Sequence, residues 1–327
     1  MEITELQKDL AATFRWTARL NMHEGVANHF SACVPGSSNE FYVNKAGIHF
    51  SQIKASDLIL VTKENIKELK DKPELVDPTA INIHGTIHEK VPHAKCIFHL
   101  HSKFATALST LKDPGLKPID QNTMIFYNRV SIFNEFGGLG FKEESNKMAN
   151  ALGNKQHMLL ANHGIITTGE TIAEGFNALY YFERAAETYL TALSTLKDPT
   201  LKPIDQNTMI FYNRVSVFNE FGGLGFEDES IKMANALGNK QHILLANHGI
   251  ITTGETIAEG FNYLYYFEKA AETYLTALAT NKELNIVSDE VAEKTAQETV
   301  NYPIDLAKLH LQQIRLILDK EEPEYKN

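Results

Sequence analysis

Leu6, Leu10 and Phe14 recur four residues apart between polar and charged neighbours, a spacing that predicts an amphipathic helix over residues 2–22. The rhythm then shortens. "HFSACVPG" and "EFYVNKAG" read as two strands joined across a Gly36-Ser37-Ser38 turn, and "LILVT" as a buried strand. "KENIKELKDK", Lys63 to Lys72, reads as a solvated surface helix because acids interrupt its lysines. "AINIHGTIHEKV" puts Ile81, His84 and Ile87 on one side at helical spacing, and after the Pro92 break "AKCIFHLHS" is a short β-rich run.

From Thr106 onward the pattern is written twice. The block Thr106 to Leu190 recurs as Thr191 to Leu275, the offset of 85 being that between His163 and His248. Each copy predicts a helix ending before Asp113 or Asp198, the strand "NRVSIF" or "NRVSVF", and a Gly-Gly turn. A helix "ESNKMANAL" or "ESIKMANAL" follows, then the strand "LLANHGIITTG" and a long helix. That last helix opens on a T-x-x-E capping box, Thr171 with Glu174 or Thr256 with Glu259, and buries Ile172, Phe176, Leu179 and Phe182. Most differences between the copies are mild, and the boldest are Ala178 against Tyr263, Asn146 against Ile231 and Lys142 against Glu227. A solenoid needs at least three units, so a tandem duplication of a half-domain is the expectation. Beyond it, "SDEVAEKTAQETV" and, after Pro303, "IDLAKLHLQQIRLIL" predict two tail helices.

Composition narrows the function classes. A hydrophobic fraction of 43% with 22% charged residues is ordinary for a globular chain, and a net charge of -10 without a basic patch argues against nucleic acid as a partner. Cys33 and Cys96 stand too far apart for a zinc ribbon or a disulfide framework, which fits a reducing cytoplasm. The charged N-terminus lacks the apolar core of a signal peptide, and no window is apolar enough to span a membrane.

Chemistry concentrates in two short words. In "FHLH", His99 and His101 share one face of a strand and could reach one cation, if a third ligand arrives from elsewhere. "ANHG" offers that ligand twice, as His163 and His248, each ahead of a glycine where the backbone can bend.

Four segments taken in order, "GVANHFSACVPG", "FYVNKAGIHFSQI", "IHGTIHEKVPHAKCIFHLHS" and "LLANHGIITTGETIAEGF", resemble the class II aldolase and adducin head-domain family, and "IDQNTMIFYNRV" with "FHLH" and no upstream acid resembles its adducin-like bacterial branch more than the sugar-phosphate aldolases. The resemblance implies a three-layer α/β/α sandwich with a largely antiparallel central sheet, here with a duplicated half-domain, usually assembled as a cyclic tetramer. It further implies a divalent metal, typically Zn2+, on His99, His101 and either His163 or His248. Asn28, Ser31 and Gly47 would lie near the anionic end of a small hydroxy-carbonyl substrate. The aldolase branch carries an acid four residues before the position of His84, and Ala80 stands there, so no proton shuttle is supplied. Glu74 and Asp77 read as surface acids, and Tyr127 and Tyr212 are the remaining candidate acids. Two functions follow: a metal-dependent lyase or isomerase, or an adducin-like binding module that retains the metal site.

The expected division is a complete domain over 1–195 using His163, an accessory half-domain over 196–280 with a redundant His248, and a helical tail over 281–327. The competing arrangement completes residues 1–105 with the second copy, and loop-closure entropy of about 1–2 kcal/mol does not separate the two.

Overall fold

The computed structural model describes residues 3–37, 39–134, 142–195, 201–220, 228–279, 283–301, 303 and 305–327. The expected Gly-Gly turns at Gly137-Gly138 and Gly222-Gly223 lie outside them. Two compact units divide the chain, Met1–Leu190 and Thr191–Asn327. No helix among the described residues is long and apolar enough to cross a membrane.

Unit 1 opens with α1 (Glu5–Arg19), begun by a capping box in which Thr4 accepts from the Gln7 amide and the Gln7 side chain reaches back. Strands β1 (His29–Cys33), β2 (Phe41–Val43) and β3 (Ile59–Val61) follow, then the short α2 (Ile66–Lys70) and α3 (Pro78–Lys90). Asp77 caps α3 by accepting from the Thr79 amide, and Pro78 sits where a missing N–H costs nothing. Next come β4 (Cys96–Leu100), α4 (Lys103–Ser109), α5 (Gln121–Ile125), β5 (Val130–Phe133), α6 (Lys142–Leu152), β6 (His157–Leu160), β7 (Gly164–Gly169) and α7 (Ile172–Thr195).

The seven strands form one sheet in the order β3-β2-β1-β4-β7-β6-β5. Only the β5–β6 pair is parallel, so the sheet is largely antiparallel, as expected. Alternation sorts the side chains onto two faces. Phe30, Phe98, Leu100, Leu159 and Ile165 pack against α1, α4 and α7, with Phe14, Leu108, Leu179 and Phe182 at the centre. On the other face Ile97, Met158, Leu160 and Ile166 meet Ile83 and Ile87 of α3 and Met148 and Leu152 of α6. Helices cover both faces, which makes the three layers.

"LLANHGIITTG" is two strands rather than one. β6 and β7 pair antiparallel with Leu160 opposite Gly164, and Asn162 makes the tight reversal in the left-handed region, at φ 56°. His163 therefore stands at a hairpin tip. The short α5 was also not foreseen, because five residues hold too little periodicity to register.

Unit 2 repeats the second half of this fold. It contains α8 (Gln206–Ile210), β8 (Val215–Phe218), α9 (Asp228–Leu237), β9 (His242–Leu245), β10 (Gly249–Thr252) and α10 (Ile257–Ala279), then the tail helices α11 (Asp289–Val300) and α12 (Leu306–Glu321). Its sheet has three strands, ordered β10-β9-β8, with β10 at the edge. The tail packs within this unit: Arg214 donates to Glu293 at 3.3 Å, and His310 lies 2.9 Å from Asn262 and against the Tyr265 ring.

Candidate metal centre

His99 lies on β4 opposite His29 of β1 and Ile166 of β7, so its ring projects from the middle of the sheet toward α3. His101 follows just past the strand, and the β6–β7 hairpin brings His163 over both. One ring nitrogen from each of the three lies within 4.8 Å of the others, and the ring centroids are 4.5–4.9 Å apart. His163 precedes Gly164, whose hydrogen faces the Leu100 carbonyl so closely that a Cβ would collide with it. The glycine lets the hairpin approach β4.

Partners on the far side of two rings set their orientation. His99 Nδ1 donates to the Ile165 carbonyl at 3.1 Å, and His101 Nδ1 lies 2.7 Å from a Glu24 carboxylate oxygen. With both Nδ1 hydrogens committed, the Nε2 atoms of neutral rings are bare, and they face each other at 3.1 Å. Two lone pairs at that separation repel unless a cation lies between them, so the donor set fits a divalent metal of the kind imidazoles hold. Burial pushes His99 well below the usual histidine range and His163 to about 4, which keeps both rings neutral and able to ligate.

A second group of imidazoles lies beneath the first. His29, His84 and His88 are buried, and the hydroxyl of Ser31 sits between His84 and His88 at 2.5 and 2.8 Å. His29 meets His84 at 2.7 Å and its ring stands 5.0 Å from that of His99. Burial brings His29 and His88 down to about 4 and pushes His84 well below the usual histidine range.

The sequence matches the family model described as "Class II Aldolase and Adducin N-terminal domain" over residues 8–190 and again over 187–275. The chain belongs to this family. A candidate class 2 aldolase protein of Caulobacter vibrioides is 31% identical over 194 residues, covering 59% of this chain and 74% of that protein. Another, from Pseudomonas aeruginosa, is 32% identical over 187 residues, covering 57% and 71%. Among solved structures, an aldolase II superfamily protein from Pseudomonas syringae shares the fold with a TM-score of 0.54 at 22% identity, over 84% of this chain and 95% of that one.

Within this class II aldolase and adducin domain the expected residues fall in different places. His99, His101 and His163 are brought together, whereas His248 is exposed in unit 2. Asn28, at φ 78°, is buried with neither amide atom hydrogen-bonded, and Gly47, at φ 73°, has open space where a Cβ would be. Ser31 is fully buried with its hydroxyl engaged by two histidines, so it is not placed to touch a substrate. Tyr127 is 58% exposed beyond α5, and Tyr212 belongs to unit 2, where its hydroxyl is tied to Asp289. Ala80 packs in an apolar cluster with Phe41, Val43 and Ile81, and Asp77 is occupied as the α3 cap. Sequence reasoning missed Glu24, His29 and His88. The period-two run His29, Ser31, Cys33 and the pair His84, His88 one helical turn apart were the available signals.

Proposed function

We propose that this chain is a metal-dependent lyase or isomerase of the class II aldolase type, acting on a small hydroxy-carbonyl compound. The observation that carries this reading is the pair of bare Nε2 atoms of His99 and His101 facing each other, with His163 completing the set. His99, His101 and His163 would hold the cation, most simply Zn2+, with Glu24 and the Ile165 carbonyl fixing two of the rings. A bound cation with an open position supplies stabilisation of the negative charge that develops on a chelated carbonyl oxygen. Asn28 offers an unpaired buried amide and Gly47 an unobstructed backbone, and in this reading they serve the substrate's anionic end. In this reading residues 1–195 are the complete domain and 196–280 an accessory half-domain whose His248 is redundant. Assembly through copies of residues 1–195 follows the family's habit.

Metal content of the purified full chain tests the assignment. His163→Ala should lose about one zinc per chain and His248→Ala none, and full metal in the His163 variant would overturn it. The apolar packing of Ala80 favours a second reading, a binding module of the adducin type that keeps the metal for shape. Chelator-sensitive release of aldehyde, or decarboxylation of small keto acids, distinguishes the enzyme from the module.

A further inference from the structure

The buried line from Ala94 to His29 has a direction, and its far end sets it. A carbonyl oxygen only accepts, so the 2.7 Å contact between His88 Nδ1 and the Ala94 oxygen puts the ring proton of His88 on Nδ1. Nε2 of the neutral ring is then bare and takes the Ser31 hydroxyl hydrogen at 2.8 Å. Having spent its one hydrogen, Ser31 Oγ accepts from His84 Nδ1 at 2.5 Å. His84 Nε2 is bare in its turn and accepts from His29 Nδ1 at 2.7 Å. At the near end remains His29 Nε2, without a proton. Thr79 Oγ1 is 3.4 Å from it but has its own hydrogen on Asp77, at 2.7 Å. Reversing the line would require a doubly protonated His88, and a ring that is 1% exposed opposes a charge there.

We propose that His29 Nε2 is a fixed hydrogen-bond acceptor for the hydroxyl of a small hydroxy acid or hydroxy ketone held at the neighbouring triad. His84, Ser31 and His88 are positioning residues that hold its tautomer. The ring of His29 lies beside that of His99, with the centroids 5.0 Å apart, which puts the acceptor next to the triad where a chelating ligand would sit. A bare nitrogen welcomes an O–H and repels a carbonyl or carboxylate oxygen. It therefore selects for the hydroxyl end of the molecule. A buried acceptor left without that donor weakens binding about ten-fold. This inference rests on the metal reading above.

The test is long-range proton–nitrogen spectroscopy of the full chain, zinc-loaded and labelled with 15N-histidine. His29, His84 and His88 should all carry their proton on Nδ1, the less common form of free histidine. Glycolate should shift the His29 Nε2 resonance as an accepted hydrogen bond does, and acetate should not. In Ser31→Ala the single-tautomer pattern should be lost at His84 and His29 but kept at His88, and the ratio of glycolate to acetate affinity should fall about ten-fold. Ser31→Thr should restore both. A proton on His29 Nε2, or an unchanged affinity ratio in Ser31→Ala, overturns the proposal; should that variant not fold, the wild-type tautomers decide it alone. Zinc absent from His99, His101 and His163 in the same spectra would instead sink the metal reading, whereas zinc bound there with His29 protonated on Nε2 sinks only this inference.

Discussion

Glu183 and Glu268 hold the same position in the two copies. Glu183 is buried and accepts from the Ser102 hydroxyl at 2.5 Å and from the Phe104 and Ala105 amides at 2.8 and 2.9 Å, capping α4 from the side of α7. Glu268, with no α4 in its unit, is exposed. The same division runs along both long helices and their strands: Ile172 is 7% exposed and Ile257 84%, Leu179 is fully buried and Leu264 45% exposed. Near-identical sequence thus yields a core in one place and a surface in the other. The deciding factor is the stretch of residues 1–109, which supplies β4, α1 and α4 to the sheet of unit 1. The second copy is served instead by its tail, and by one substitution. Where Ala178 borders an open cavity of about 490 Å³ beside His157 and Arg129, Tyr263 lays its ring 4.7 Å from that of His242, and the corresponding space, about 420 Å³, is lined by Tyr263 together with Val300 and Leu306 of the tail.

Paired substitutions at equivalent positions put this contrast at risk, with local stability followed by hydrogen exchange in each unit. Leu179→Ala is expected to cost unit 1 about 3–4 kcal/mol through the cavity it leaves, and Leu264→Ala less than about 1 kcal/mol in unit 2. Equal costs would mean that the exposed face of α10 is covered in solution. Glu183→Ala should cost about 3 kcal/mol, since it strands the buried Ser102 hydroxyl and the buried Ala105 amide, while Glu268→Ala should stay within about 0.5 kcal/mol. Gly175 comes next: a Cβ there would lie 2.5 Å from the Phe98 ring, so Gly175→Ala should lose about 1–3 kcal/mol. Gly260 has no such neighbour, and Gly260→Ala should gain up to about 1 kcal/mol of helix propensity.

One effect should be the same in both copies. Burial, helped by Arg129 or Arg214, lowers His157 and His242 to about 4 in the fold. The unfolded chain takes up these protons first, near pH 6.5, so each ring's contribution is complete above that pH and is lost as pH falls toward 4. Thermal melts across that window should show the acid limb, and His242→Phe should flatten it for unit 2 alone.

Much of this architecture was legible because its signals are local. Alternation in "CIFHLHS" put His99 and His101 on one face, and the repeat announced both copies of the later elements. The β6–β7 hairpin was hidden because its reversal occupies only Ala161, Asn162 and His163, a polar break too short to separate two equally apolar runs. The buried imidazole line was half visible. His29, Ser31 and Cys33 carry the strand period and His84 and His88 the helical one, yet only the packing of α3 on β1 joins them. Glu24 could not have been read at all, since 77 residues separate it from the ring it orients.

Gly164 illustrates how a constraint can outlive its cause. In the first copy the residue after the third imidazole must be glycine because the Leu100 carbonyl, from a distant strand, leaves no room for anything larger. Gly249 inherits the same residue with no heavy atom within 4 Å of where a Cβ would stand. Mutational drift meets no steric resistance there, or at Gly260 and Glu268, so the second copy can diverge at these three sites first while the first copy stays fixed.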